Sequence, residues 1–231
     1  MLAWVLVEAI TMYELPLFPL NTVLFPGMPI NLHIFEPRYK LMIQQCLQTG
    51  QPFGVVLIKQ GVEALGPAAE PYTVGCSAQI TQVERLEDGR MNIVAIGVER
   101  FQIQTLEYDK PYLVGRVENF PLPRHEPQSM TIAGTRLRPW VERYLQTLSE
   151  ASEEMNFDMG RLPDDPLALA YLAAAVVQIP MDQKQTLLAS DRALDLLSKV
   201  RDVYQREVAL LRTIIEHDRL HEGEQGLFSV N

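Results

Sequence analysis

Residues 14–39, ELPLFPLNTVLFPGMPINLHIFEPRY, constrain the fold more than any other stretch of the chain. The segment is apolar enough for strands, yet it holds five prolines: Pro16, Pro19, Pro26, Pro29 and Pro37. Proline has no N–H to give to a ladder, so a central strand of a flat sheet rarely contains one. The segment therefore reads as short extended pieces, the edge strands and crossovers of a small curved sheet. Phe18 and Phe25 anchor those pieces, Pro26-Gly27 marks a turn, and NLHIF forms a strand with Leu32 and Ile34 on one side. Glu36 stands where a helix cap belongs and Pro37 fits the first helical position. Tyr39, Met42, Ile43, Cys46 and Leu47 then share one helical face, and Gly50 supplies the stop.

The following segment keeps the strand period. FGVVLIK (53–59), YTVGCSAQITQVERL (72–86), MNIVAIGVERFQI (91–103) and YLVGRVENF (112–120) read as strands, with an Asp-Gly turn in EDGR (87–90). Gly75, Gly97 and Gly115 lie inside them, as the bends of a small barrel require. The proline-rich hinge PLPRHEPQ (121–128) ends this pattern. Beyond it, Leu137, Val141, Tyr144, Leu145 and Leu148 have helical spacing, and Asp164-Asp165-Pro166 caps LALAYLAAAVVQI. Pro180 stops that helix, Asp182 starts the short QKQTLLA, and Ser190-Asp191 opens a long helix with Leu194, Leu197, Tyr204, Val208, Leu211 and Ile215 on one face. The expected architecture is α+β: a β-barrel subdomain over 13–122, then an α-helical bundle over 123–231. Residues 1–12 are either an additional strand or a stretch ahead of a start at Met12.

The residues that would carry chemistry are sparse. No phosphate-cradling glycine loop is present, and Ser77 in GCSAQ lacks the second glycine of a nucleophile elbow and sits inside a strand pattern. Cys46 and Cys76 have no metal-like spacing and read as small core residues in a reducing cytosol. His217 and His221 are i, i+4 on a helix, as two zinc ligands would be, with Asp218 between them and Glu222 or Glu224 as a conceivable third ligand. A solvated helix tip explains them better, and His33 and His125 have no evident partners. No catalytic residue, metal or cofactor is expected. The net charge of −9 argues against a phosphate-binding groove, and a basic patch would have to come from Arg85, Arg90, Arg100 and Arg116.

The stretch at 15–39 resembles the N-terminal, substrate-binding domain of Lon proteases. The resemblance continues through FGVVLI (53–58), VGCSAQI (74–80), GRMNIVAIGVERFQI (89–103) and YLVGRVE (112–118), and through the Gln185, Leu187, Leu188 phrase before the last long helix. It spans about residues 13 to 220. It implies a PUA-like barrel followed by helices, and structural roles for the family-motif residues Pro19, Pro26, Gly27, Glu36, Pro37, Tyr39, Gly97, Arg100 and Phe101. No ATPase module and no serine–lysine peptidase segment accompany the match, so the chain looks like a stand-alone bacterial Lon-domain protein. The resemblance implies a cytoplasmic, non-enzymatic module that binds unfolded or specific client polypeptides as an adaptor or regulator in protein quality control, with a protease or chaperone as a further partner. The candidate binding surface is Phe18, Phe25, Met28, Phe35 and Arg38, with Arg38 pairing to a carboxylate or carbonyl at the barrel–helix junction. The alternative is RNA binding through the PUA-like barrel.

Overall fold

The computed structural model describes residues 12–61, 69–123, 126–151 and 159–226. The N-terminal stretch 1–11 and His125 lie outside the described residues, as do the side chains of His217, Asp218, His221, Glu222 and Glu224. The chain divides into two compact units: the described residues up to Leu122 together with Gln178–Ala189, and Pro123–Val177 together with the chain from Ser190.

The first unit is built from β1 (Tyr13–Leu20), β2 (Pro29–Ile34), α1 (Pro37–Thr49), β3 (Phe53–Gln60), β4 (Glu70–Pro71), β5 (Val74–Arg85), β6 (Met91–Glu107) and β7 (Val114–Asn119). The order β1-β7-β6-β5-β3 closes on itself because β1 also pairs with β3, in parallel. The prolines of β1 fit this closure in a specific way. Tyr13–Pro16 pairs with β7, whereas Leu17–Leu20 pairs with β3. Among the described residues each half therefore has one side without a ladder, where a missing N–H costs nothing. Edge behaviour is thus built into a strand that closes a barrel.

Two glycines make the next corner. Gly27 follows Pro26 with φ 79°, in the left-handed region, and donates its N–H to Gly97 O at 2.7 Å. A Cβ on Gly97 would lie 2.3 Å from Phe25 O, so the turn and β6 meet backbone to backbone. Glu36 caps α1 through its backbone carbonyl, which accepts from Tyr39 N and Lys40 N at 3.1 and 2.9 Å, and Pro37 opens the helix. Gly50 ends α1 at φ 69°. Tyr39, Met42, Ile43 and Cys46 are buried against β1, β3, β5 and β6, with Phe18 stacked on Tyr39 at 4.0 Å. Burying each of the larger side chains contributes about 1.5–3 kcal/mol.

The second unit contains α2 (Pro127–Ala151), α3 (Pro166–Val176) and α5 (Ala193–Gly226). Leu137, Val141, Tyr144 and Leu145 of α2 are buried, as are Leu197, Tyr204 and Val208 of α5. Tyr144 and Tyr204 meet edge to face at 5.0 Å, and the Tyr204 hydroxyl donates to Ala173 O. Asp165 caps α3 by accepting from Ala168 N at 2.9 Å. The helix expected around 137–148 begins ten residues earlier, since Pro127 suits a first turn, and it continues through Pro139.

The helical bundle expected over 123–231 is interrupted. Helix α4 (Met181–Leu188) belongs with the barrel, where Gln185 Nε2 donates to Val74 O at 2.9 Å and Leu188 O accepts from Arg100 Nη1. These hydrogen bonds give buried polar groups of the barrel partners on α4, which ties the helix to this unit.

Candidate binding face

Strand β6 is longer than the barrel needs. Its first half, Met91–Ile96, pairs with β2 on one side and with Gln79–Arg85 of β5 on the other, forming a three-stranded antiparallel arm. Residues alternate across such a sheet, so every second position shares a face. Met91, Ile93 and Ala95 are buried against α1, and Asn92 and Ile96 are exposed on the opposite face, with Val94 half-buried.

The strand registers place side chains on that open face in rows. Asn31, Val94 and Gln82 form one, and His33, Asn92 and Glu84 form the next. The second row is hydrogen-bonded throughout. His33 Nδ1 lies 2.7 Å from Asn92 Oδ1, and Asn92 Nδ2 donates to Glu84 Oε2 at 2.8 Å. At the far end Arg90 Nη1 stands 3.4 Å from His33 Nε2. Arg90 is itself held by Asp88 through a 2.5 Å ion pair, and the Arg90 N–H, then its guanidinium and Lys40, keep the Asp88 carboxyl below its ordinary range. Phe35 stacks on His33 at 6.0 Å and is 46% exposed. A cleft of about 430 Å³ runs over residues 31–33, 82–84 and 92–94. Ile96 and Val98 continue the same face as exposed apolar residues.

The five residues expected to form a binding surface are not brought together. Phe18 and Phe25 are buried, Phe18 in the core beneath Tyr39, so neither is available to a client. Met28 is half-buried against the same core. Arg38 pairs with Glu36 at 2.9 Å and lies over the Tyr39 ring, a structural arrangement at the strand–helix junction. Phe35 alone projects to solvent beside the cleft. His33 has two partners where sequence reasoning saw none. Asn31, Gln82, Glu84 and Asn92 were not singled out by sequence, although the alternation of polar residues at period two on each strand carried a signal.

The remaining candidates resolve into structural parts. Arg100 is buried, stacks over Phe120 at 4.6 Å and holds Leu188 O, so it does not join Arg85, Arg90 and Arg116 in a four-arginine surface patch. Ser77 is buried and bridges to Glu99, donating to its carbonyl at 3.1 Å and accepting from its N–H at 3.2 Å. Burial pushes the thiols of Cys46 and Cys76 up to about 11 and about 12, which leaves them protonated and unreactive. Among the described residues no three His, Cys, Asp or Glu side chains converge as a metal site would require, and no helix is long and apolar enough to cross a membrane.

A closed PUA-like barrel carrying a β-arm, followed by a helical unit, is an α+β architecture suited to presenting a surface. Residues 14–206 match the model of the ATP-dependent protease La (LON) substrate-binding domain, and the chain belongs to that family. The Lon protease of Anaeromyxobacter dehalogenans is 26% identical over 215 residues, covering 91% of this chain and 25% of the relative. That of Phenylobacterium zucineum is 27% identical over 199 residues, covering 86% and 25%. The chain thus spans about a quarter of the length of these curated relatives. A crystal structure of a Lon N-terminal domain protein from Xanthomonas campestris is similar with a TM-score of 0.58 at 26% identity, over 81% of this chain and 96% of that one. The N-terminal domain of a Mycobacterium avium complex Lon protease shares the fold, with a TM-score of 0.60 at 21% identity over 84% and 98%.

Proposed function

We propose that this chain is a non-enzymatic polypeptide-binding module that holds unfolded or specific client segments on the open face of the β2–β6–β5 arm, as an adaptor or regulator in protein quality control. The observation that carries the reading is that this face combines exposed apolar side chains with an open amphipathic cleft, in a chain whose family is defined by substrate binding. An extended segment laid along β6 meets Phe35 and the cleft at one end and Ile96 and Val98 at the other. Sidedness also suits the role: the opposite face is committed to the core, so the arm does not have to unfold to bind. Affinity is modest, because a disordered client loses conformational freedom on docking.

The test is site-specific photocrosslinking to a permanently unfolded, fluorescently labelled polypeptide. Probes at positions 31, 82 and 94 should capture it, and probes on the exposed side of α2 should not. The client should remain uncleaved with or without ATP. Capture confined to the helical unit, or no association at all, would remove the assignment to this face.

A further inference from the structure

The hydrogen-bonded row on the arm has a direction. Asn92 Nδ2 donates to Glu84, so Asn92 Oδ1 is an acceptor and His33 Nδ1 carries the proton that it accepts. His33 Nε2 is then a lone pair, and Arg90 Nη1 donates to it. Every donor in the series therefore points the same way, from the Arg90 guanidinium through the imidazole and the carboxamide to the Glu84 carboxylate. Such a chain polarises along its length and fixes the carboxylate in place. Asp88 already neutralises the arginine at the positive end. At the negative end Glu84 forms no ion pair among the described residues, and its Oε1 has no hydrogen-bond partner there.

An oriented, unpaired carboxylate beside an amphipathic cleft is a receptor for a cation on an aliphatic stem. The guanidinium of arginine or the ammonium of lysine would meet Oε1, while its methylenes lie along the cleft. In the adjacent row Asn31 and Gln82 flank Val94, and neither carboxamide has a hydrogen-bond partner among the described residues. Both can donate to and accept from a peptide backbone crossing between them. On the same face Ile96 lies four residues from Asn92, about 13 Å along the strand. An extended ligand spans that distance in the same number of residues. The net charge of −9 favours the approach of cationic segments.

We propose that Glu84 is a specificity-determining residue of the arm, selecting extended polypeptide segments that place an arginine or lysine four positions from a bulky apolar residue. The inference rests on the arm being the client face, and it adds the chemistry by which the arm chooses.

The experiment measures fluorescence polarisation with labelled ten-residue peptides on the full chain. One carries Arg and Phe four positions apart, a second has Gln in place of Arg, a third has Glu there, and a fourth has the Arg–Phe spacing shortened to two. Wild type should bind the Arg peptide about five-fold tighter than the Gln peptide, with the advantage shrinking as salt is raised. Glu84→Gln should erase the difference between the Arg and Gln peptides, Glu84→Arg should prefer the Glu peptide, and the shortened spacing should weaken binding. Glu84 is exposed, so the thermal transitions of these variants should match wild type. Equal binding of Arg and Gln peptides by wild type, or a preference that survives Glu84→Gln, would overturn the inference while an Ile96→Ser loss of binding still upheld the client face. If no peptide binds and Ile96→Ser leaves unfolded-client capture unchanged, both the inference and the reading beneath it fail.

Discussion

The two halves of β6 are continuous in sequence and opposite in character. From Gly97 to Glu107 the strand is a stave of the barrel between β5 and β7, and there even an arginine, Arg100, is withdrawn from solvent to 2% exposure. From Met91 to Ile96 it runs up the middle of the arm between β2 and β5, with one face buried and the other left to water. In the barrel half, the buried positions Gly97, Arg100, Phe101 and Ile103 are dictated by backbone contacts, packing and buried hydrogen bonds, while Val98, Glu99, Gln104 and Thr105 face water. In the arm half, only the inward positions are dictated, and the outward ones are free to serve binding. Gly97, Arg100 and Phe101 belong to the barrel half, where Gly97 meets the Phe25 backbone and Arg100 and Phe101 are buried.

The largest effect that would break this contrast comes from the barrel half. Arg100→Ala removes the donor to Leu188 O and the stacking on Phe120, and should cost about 3 kcal/mol in urea unfolding. A loss below about 1 kcal/mol would show that the two halves are less different than described. A second measurement uses Cys76, which lies opposite Arg100 in the β5–β6 register, and Cys46 under the arm. Both thiols titrate above the ordinary value of 9.0 because they are buried. Between pH 9 and pH 11 the unfolded chain releases protons that the folded chain keeps, so stability should fall with rising pH and stay flat in this respect below pH 8. Each thiol contributes a slope of about 1.4 kcal/mol per pH unit. Urea midpoints at pH 8 and pH 10 check this, and Cys76→Ala should remove one share of the slope. The smallest stability effect belongs to the arm: Ile96→Ser should move the unfolding midpoint by no more than about 0.5 kcal/mol while weakening unfolded-client capture about five-fold.

Much of the fold was legible because its signals are local. Prolines at 16, 19, 26, 29 and 37, the Asp-Gly turn, the Asp165 cap and the Gly50 stop each act within a few residues. The helical nature of α4 was readable in the same way, but its allegiance to the barrel depends on Val74 O and Arg100, more than eighty residues away. The candidate surface failed for a related reason. Aromatic residues near a family motif look alike whether they point in or out, and Phe18 stacks inward on Tyr39 whereas Phe35 lies outward on His33. The polar rows were hidden differently. Asn31, Gln82 and Asn92 alternate correctly on their own strands, and the 87–90 turn sets Gln82 opposite Val94 and Glu84 opposite Asn92, but the alignment of Asn31 and His33 with them depends on the long-range pairing of β2 with β6, which no periodicity announces.

The detour of α4 also bears on how the protein is made. A ribosome delivers strands β1–β7 first, but the segment carrying α4 that completes the barrel unit ends at Ala189, 67 residues beyond Leu122. At roughly 5–20 residues per second, the nascent barrel waits on the order of 3–13 s before its last piece emerges. During that interval Val74 O and the Arg100 guanidinium lack the partners that α4 brings. The barrel unit is therefore incomplete until late in its own synthesis, and a chain released at residue 122 would lack α4 permanently.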